Sequence, residues 1–478
     1  MGSATAVFCI GICYHPDARI EGLEILVDGA RHRPAAFGMP RPDIAVAAGV
    51  AGAGRAYHSG FWGTVPVSAR AAPGSVAVQL TARLATGAVL TYPLGHIDVV
   101  ARAPAPTPDA QPARPGPELI AVCMATFEPD LALFETQVQS LRAQTDDRWI
   151  CLISDDGSGP AHVEQIVRTV GDDPRFAISH SRTRLGFYRN FERALEMVPP
   201  EAELVALCDQ DDRWHPDKLC VLRRSLGGAV LVYSDLRLVD AGGAVLRETL
   251  WRGRANNGDN LASMLVANTI TGAAMLFRRE LMEIALPFPD TPGHQFHDHW
   301  LALAALATGT LAYVDRPLYD YVQHPGAVFG DVTHGSRSPR VGGLRGRLAS
   351  LQIPGPACTW RAAYFYGYVS RVLQAHVLLA RSGTRLSARK RRTLRRFTAC
   401  DRSWGALAWL AARPIRCLLG HTETLGSELE LVRGIVWKRL TAWVADHGRP
   451  GIGPFANAAM PAPHRFSQRR LRRWRARL

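Results

Sequence analysis

Apolar and polar positions alternate through the first hundred residues. The segments LEILVDG, GFWGTVPVSA, SVAVQLTARL and AVLTYPL each read as a short strand, and the period of two is clearest from Val76 to Leu84. Asp28-Gly29 and Thr86-Gly87 fall where tight hairpin turns belong. No helical period competes, so residues 1–101 are expected to form a β-sandwich-like domain. Its aromatics Tyr57, Phe61, Trp62 and Tyr92 suit a core as well as a carbohydrate-binding surface. Residues 102–117, RAPAPTPDAQPARPGP, hold six prolines and almost nothing to bury, which predicts a stiff, extended linker.

From Glu118 the pattern changes to continuous apolar runs separated by amphipathic stretches. Strand LIAVCMA precedes helix LALFETQVQSLRAQ, strand WICLIS precedes AHVEQIVRTV, strand FAISH precedes FYRNFERALEMV, and strand LVALC precedes PDKLCVLRRSL. Strands that are apolar throughout, with helices between them, imply a mostly parallel sheet covered on both faces, and such sheets bind ligands at the carboxyl ends of their strands. Residues 118–335 are therefore expected to be an α/β domain. Beyond them, residues 336–478 read as a helical, basic extension that ends in the Arg-rich FSQRRLRRWRARL.

Composition sharpens the picture in two places. The chain of 478 residues carries a net charge of +14, but residues 361–478 hold 24 Lys and Arg against 5 Asp and Glu, so the basicity belongs to that part alone. No nucleic-acid recognition motif accompanies the charge. Arginine clusters alternate with Trp404, Trp409, Trp437, Trp443 and Trp474, a pattern that fits an anionic membrane surface beside the plainer alternative of a solvated face. The nine cysteines, among them Cys9, Cys13, Cys123, Cys151 and Cys208, show no zinc-type spacing and predict a reducing compartment. The opening MGSATAVFCIGICYHPD lacks the basic start and small-residue cleavage site of a secretory signal, and the apolar run at 404–420 is broken by Arg413, Pro414 and Arg416. A cytoplasmic, peripheral protein is expected.

Candidate chemistry lies at strand ends. Ser154-Asp155-Asp156-Gly157-Ser158 follows WICLIS, Asp209-Gln210-Asp211-Asp212 follows LVALC, and His297-Asp298-His299-Trp300 opens the helix WLALAALAT. Three carboxylates within four residues repel one another unless a cation lies between them, and hard oxygen ligands suit Mg²⁺ or Mn²⁺. Asp212 lies close enough to PDKLCVLRRSL to act instead as its N-terminal cap. A zinc set built from His294, His297, His299 and His324, as in a zinc hydrolase, is a second reading of the histidines. Trp214 and Trp300 suit the core better than a sugar-stacking surface.

The ordered set MATFEP, SDDGS, LGFYRNFE, CDQDDRWHPDKL, NTITGAAMLFRREL, HDHWLAL and YDYVQHPGAVFG resembles the inverting family-two glycosyltransferases of GT-A fold, particularly the rhamnosyltransferase-like bacterial members. The resemblance covers about residues 118–330. It implies a nucleotide-diphospho-sugar transferase with a Rossmann-like mixed sheet, a UDP-, GDP- or dTDP-sugar donor, and a glycan or lipid-linked acceptor in cell-surface polysaccharide synthesis. On it, Asp156 reads the nucleotide base beside Thr126 and Glu128, Gly186 and Asn190 approach the donor, and Asp209 faces the ribose. Asp211 and His324 hold the divalent cation, and Asp298 is the catalytic base. His324 equally fits a plain hydrogen-bonded loop histidine. TFEP departs from the Tyr-Asn pair frequent in the family, which leaves the base open. Because intact Asp209, Asp211 and Asp298 favour turnover, a non-catalytic nucleotide-sugar-binding protein is the weaker alternative. The N-terminal β domain could bind glycan, orient the acceptor or mediate assembly.

Overall fold

The computed structural model describes residues 4–69, 73–99, 105–109, 112, 116–251, 254–256, 258–293, 295–324, 358–447 and 455–461. These residues divide into two compact units. One takes the described residues up to 99, the segment Pro289–Gln295 without His294, and those from 358 to 461; the other takes those from 105 to Phe288 and from Phe296 to His324. The sequence pattern placed 1–101 and 336–478 in separate domains, whereas here the N-terminal strands and the C-terminal helices share one unit.

In that unit, strands β1 (Thr5–Ile12), β4 (Ala36–Met39) and β5 (Gly60–Val67) form one antiparallel sheet, and β2 (Ile20–Val27), β3 (Ala30–His32), β6 (Gly74–Leu84) and β7 (Val89–Val99) form another. Leu23, Ile25 and Val27 of β2 meet Val76, Val78, Leu80 and Ala82 of β6 and Phe61, Val65 and Val67 of β5, so the period-two positions make the sandwich core. Asp28 and Gly29, both at positive φ, close the β2–β3 hairpin in two residues. Two helices, Pro42–Ala47 and Gly49–Tyr57, interrupt the strands where no helical period was visible. Their sequence is Ala- and Gly-rich and buries little; Pro42 at the start and Asp43 in the first turn were the legible signals.

Of the four aromatics that the sequence leaves open between a core and a glycan-binding surface, Tyr57, Phe61 and Trp62 are buried and Tyr92 is exposed. The Trp62 indole donates to Tyr364 Oη at 3.0 Å and packs against Phe365, tying β5 to a C-terminal helix 302 residues further along. That helix begins at Cys358–Ala362, passes through a π-helical stretch Ala363–Val369 and continues as Ser370–Arg381. Tyr364 donates in turn to Asp401 Oδ2 at 3.1 Å, and Lys438 Nζ donates to the Asp401 carbonyl at 3.2 Å. Helix Glu428–His447 can approach this network only because residue 434 is glycine: a Cβ there would lie 2.5 Å from Tyr364 N.

The second unit is built on one nine-stranded sheet. Its order is β10 (Phe176–His180), β9 (Trp149–Asp155), β8 (Ile120–Thr126), β11 (Leu204–Asp209), β15 (Met275–Arg278), β13 (Leu231–Asp240), β16 (Leu311–Gln323) and β12 (Arg213–Trp214), with β14 (Val245–Arg247) on β13. The first four are mutually parallel, β15 runs antiparallel between β11 and β13, and the result is the mixed sheet expected of the GT-A fold. Strand β8 is almost wholly buried, as a strand covered on both faces must be. Sequence order reverses between β8 and β11, which places the topological switch point at their carboxyl ends. Part of the expected linker lies along the edge: Asp109 N donates to Ile178 O at 2.7 Å, and Ser179 Oγ donates to Thr107 O at 3.1 Å. The described cysteines Cys9, Cys13, Cys123, Cys151, Cys208, Cys220, Cys400 and Cys417 are free thiols. Residues 325–357, including most of the PGAVFG motif, and the tail from 462 lie outside the described residues.

Replacing Gly434 by alanine is expected to force the helix Glu428–His447 away from Tyr364 and to destabilise the chain by about 1–3 kcal/mol. Thermal unfolding checks this, and an unchanged midpoint contradicts the packing described.

Candidate active site at the switch point

The register of the parallel strands brings their last residues level. Thr126 pairs with Asp155, Asp155 with His180, and Ala125 with Asp209. Around that line the side chains form a connected network. Asp155 is buried; its Oδ1 accepts Thr126 Oγ1 at 3.1 Å and Ser158 Oγ at 2.6 Å, and its Oδ2 accepts Ser158 N at 3.0 Å. Asp155 therefore shapes the SDDGS turn. Glu128 is exposed at φ 40°, with its amide donating to Ser158 Oγ at 2.8 Å.

Asp156 stands at the next position, 3% exposed, and its carboxylate accepts Leu185 N at 2.5 Å and Gly186 N at 2.8 Å. An ionised carboxylate has about four acceptor sites, so one lone pair per oxygen remains for a ligand N–H. Gly186 has φ 83°, a conformation that favours glycine, and nothing lies within 4 Å of where a Cβ would be. It opens the helix Phe187–Glu196.

Asn190, on the same helix, has a different position from the donor-facing one implied by the resemblance. It is 2% exposed, its Nδ2 donates to Thr126 O and Ser154 O at 3.2 and 2.8 Å, and its Oδ1 accepts Ser154 Oγ at 2.7 Å. Both amide hydrogens are thus used inside the protein, and Asn190 positions the ends of β8 and β9.

The acidic motif joins this network through a residue whose role the pattern of carboxylates hid. Gln210 Oε1 accepts Phe127 N at 2.8 Å, and Gln210 Nε2 donates to Phe127 O at 3.2 Å, a two-point clamp across the switch point. The Arg184 guanidinium sits 3.8 Å over the Phe127 ring.

Asp209 ends β11 and is half-buried. Asp211 Oδ2 lies 2.7 Å from His324 Nε2, and both side chains remain partly exposed. This hydrogen bond raises the His324 pKa against the opposing effect of burial. The donor set, a carboxylate oxygen beside an imidazole nitrogen at a solvent-reaching position, fits Mn²⁺ or Mg²⁺. Among the described residues no group of three His, Cys, Asp or Glu converges, so donor diphosphate oxygens or water would complete such a site.

Asp212 relieves the crowding of charge in another way. Burial first, and then Asp209 and Asp211, push its carboxyl well above the ordinary range, and its Oδ1 accepts Val322 N at 3.4 Å. It does not cap the following helix: Asp217 occupies the N-cap position of Lys218–Leu226. Lys218 is buried, donates to Ala273 O at 2.5 Å and lies 3.5 Å over the Trp214 ring, and burial pushes its ammonium down to about 7. Trp214 and Trp300 are both core residues, and Trp300 donates to Ala285 O at 2.9 Å.

Asp298 lies in the first turn of helix His297–Thr308, 7% exposed, with Oδ1 accepting His299 N at 2.6 Å. The His297 ring stacks on Phe191 at 3.8 Å between centroids, which docks this turn on the helix that follows Gly186. His299 Nε2 lies 2.6 Å from Met264 O. His297, His299 and His324 thus face separate partners and form no zinc set, and His294 lies outside the described residues.

Asp320 was not legible as a site-shaping residue. Burial would raise its carboxyl, but hydrogen bonds from His215, Arg237 and Arg213 outweigh that and hold it well below the ordinary range. It fixes the strand that follows the acidic motif against β16. Asp320→Asn is expected to cost about 1–2 kcal/mol at neutral pH, since Arg213 is partly exposed and screened. A depressed carboxyl stabilises only where it is ionised, so the difference from the parent should shrink as pH falls below about 4. Denaturant melts at several pH values read this; a penalty that grows on acidification contradicts the assignment.

A profile of the family described as "Glycosyl transferase family 2" matches residues 122–284, the stretch that runs from β8 through β15. Among curated proteins, the uncharacterized protein y4gI of Sinorhizobium fredii is 28% identical over 129 residues, which is 26% of this chain and 14% of that protein. The chain therefore spans about a seventh of the relative's length. Among solved structures, S. aureus TarS 1–349 in complex with UDP-GlcNAc is 13% identical, covers 70% of this chain and 94% of its own, and has a TM-score of 0.41. The mannosyltransferase PcManGT from Pyrobaculum calidifontis, in complex with GDP-Man and Mn²⁺, is 15% identical, covers 70% and 91%, and has a TM-score of 0.34. With the strand-end network where the family profile falls, the segment built on β8–β15 belongs to glycosyl transferase family 2.

Proposed function

We propose that the chain transfers a glycosyl unit from a nucleoside-diphosphate sugar to a hydroxyl acceptor, with inversion at the anomeric carbon. The observation that carries this reading is the convergence, at the carboxyl ends of β8, β9, β11 and β16, of Asp156, the Gln210–Phe127 clamp, Asp209 and the Asp211–His324 pair.

The nucleotide base lies against Thr126, Phe127 and Glu128, with an N–H donating to the free lone pairs of Asp156. Asp209 accepts from the ribose. Asp211 and His324 would hold a divalent cation, which would supply charge neutralisation on the departing diphosphate. Gly186 leaves room for the donor, and Asn190 acts through the strand ends it ties together. Asp298 takes the proton of the acceptor hydroxyl as its oxygen bonds to the anomeric carbon. The bond from that carbon to the diphosphate oxygen breaks in the same displacement, and the nucleoside diphosphate leaves. General-base catalysis of this kind contributes about 10²–10⁴-fold.

Donor candidates are UDP-, GDP- and dTDP-hexoses or deoxyhexoses, rhamnose included. The acceptor is a glycan or lipid-linked saccharide of cell-surface polysaccharide synthesis, met at the cytoplasmic face of a membrane to which the basic C-terminal region is drawn.

Transfer or donor hydrolysis should be assayed across those donors with Mn²⁺. Asp298→Asn is expected to lower kcat by at least about 10²-fold with little change in donor affinity, and Asp211→Ala to weaken donor binding and turnover together. Turnover that survives both substitutions in one chain contradicts the assignment. Donor binding without turnover in the parent would make it a binding protein instead.

A further inference from the structure

The helices between residues 388 and 447 present a surface that packing leaves uncovered. Helix Trp404–Ala412 starts at Ser403, whose Oγ accepts Ala406 N at 3.3 Å, and buries Ala406, Leu407 and Leu410. Its other face is open: Trp404 is 73% exposed and Ala408 and Ala411 are exposed too, and the same spacing continues to Ile415 at 58% and Leu419 at 74%. Positions 404, 408, 411, 415 and 419 recur every three or four residues across this helix and the short helix Ile415–Leu418, so an apolar stripe faces outward from a segment whose buried face is apolar too. Helix Glu428–His447 adds Leu440 at 38% and Trp443 at 59%. Arg439, one turn before Trp443, lies 3.9 Å over the Trp404 ring and sets the two exposed tryptophans on neighbouring helices. Trp437 is buried, Trp409 is half-buried between Arg396 and Arg413, and Trp474 lies outside the described residues, so the outward set is narrower than the tryptophan pattern of the sequence.

Charge frames this stripe. Helix Ala388–Thr398 exposes Arg389, Arg392, Arg395 and Arg396, and Arg396 reaches Trp409 at 4.9 Å, which places the basic face beside the apolar one. Asp401, Glu423 and Glu428, three of the five acids between 388 and 447, are buried. Glu430 is half-buried beside Arg433 and only Asp446 is exposed, so what meets solvent is apolar with cations in excess of acids.

We propose that this face rests on an anionic lipid surface, with Trp404, Ile415, Leu419, Leu440 and Trp443 entering the interface and the arginines of helix Ala388–Thr398 beside the headgroups. An apolar stripe flanked by arginines binds such a surface through buried apolar area and attraction to anionic lipid together. A second copy of the chain fits less well, because a two-fold contact would set each basic face against its own like. The proposal gives the membrane reading above a defined surface, and it stands on that surface whether or not the chain transfers sugar.

The test is sedimentation of the full chain with vesicles of phosphatidylcholine alone or mixed with phosphatidylglycerol, near 0.15 M salt. The parent should sediment with the anionic vesicles and not with the neutral ones. Trp404→Ser, Ile415→Ser, Leu419→Ser and Trp443→Ser combined should weaken partitioning at least about tenfold, with the melting temperature kept. If that chain folds poorly, Trp404→Ala with Trp443→Ala carries the same comparison. Equal partitioning of parent and variant, or no partitioning of the parent, overturns the proposal. So does lipid-free self-association of the parent that the variant loses, since the face would then join copies of the chain. Turnover of a soluble acceptor, measured in the same proteins, separates a failure of docking from a failure of the transferase reading.

Discussion

The candidate site depends on one side chain bridging a gap that the sheet itself leaves open. At the switch point β8 and β11 are neighbours, and backbone pairing between them ends at Ala125 and Asp209. Gln210 closes that gap by offering both ends of its amide to the backbone of Phe127. An amide can satisfy an N–H and a C=O at once, which a carboxylate cannot, and this explains a neutral residue in the middle of an acidic motif. With the clamp in place, Asp209 and Asp211 on either side of Gln210 are held beside the carboxyl end of β8.

The acidic motif shows how one short segment can divide its charge. Asp211 stays partly exposed and finds His324; Asp212 is buried beside it and favours the neutral form because burial and two neighbouring carboxylates all disfavour ionisation. Asp211 and His324 thus stand together on the partly exposed side, while Asp212 is turned into the core toward Val322. Upstream, the adjacent pair Asp155 and Asp156 also separates by role. The first shapes its own turn, and the second holds the amides that open the next helix.

Much of this was legible because period and punctuation are local. The parallel strands, the position of the acidic groups at their ends and the hairpin at Asp28-Gly29 follow from patterns a few residues long. Gln210, Asn190 and Asp320 were misjudged or passed over because their partners lie 83, 36 and at least 83 residues away in sequence. The helices Pro42–Ala47 and Gly49–Tyr57 were hidden by small residues that give no apolar period. The joining of the N-terminal sandwich to the C-terminal helices rests on Trp62 meeting Tyr364, a contact that no local pattern carries. The exposed Trp404 and Trp443 and the buried Trp437 look alike as letters, and only packing tells them apart.

On the proposed function, the strand-end network at the switch point binds a nucleoside diphosphate with the help of Asp211. The most direct measurement is equilibrium binding of UDP, GDP and dTDP to the full chain, with Mn²⁺ and with chelator, for the parent and for Asp211→Ala. One nucleotide is expected to bind the parent at least about tenfold more tightly with Mn²⁺, and the substitution is expected to remove this gain. Nucleotide binding that ignores both the cation and the substitution, or none by any of the three, would contradict it.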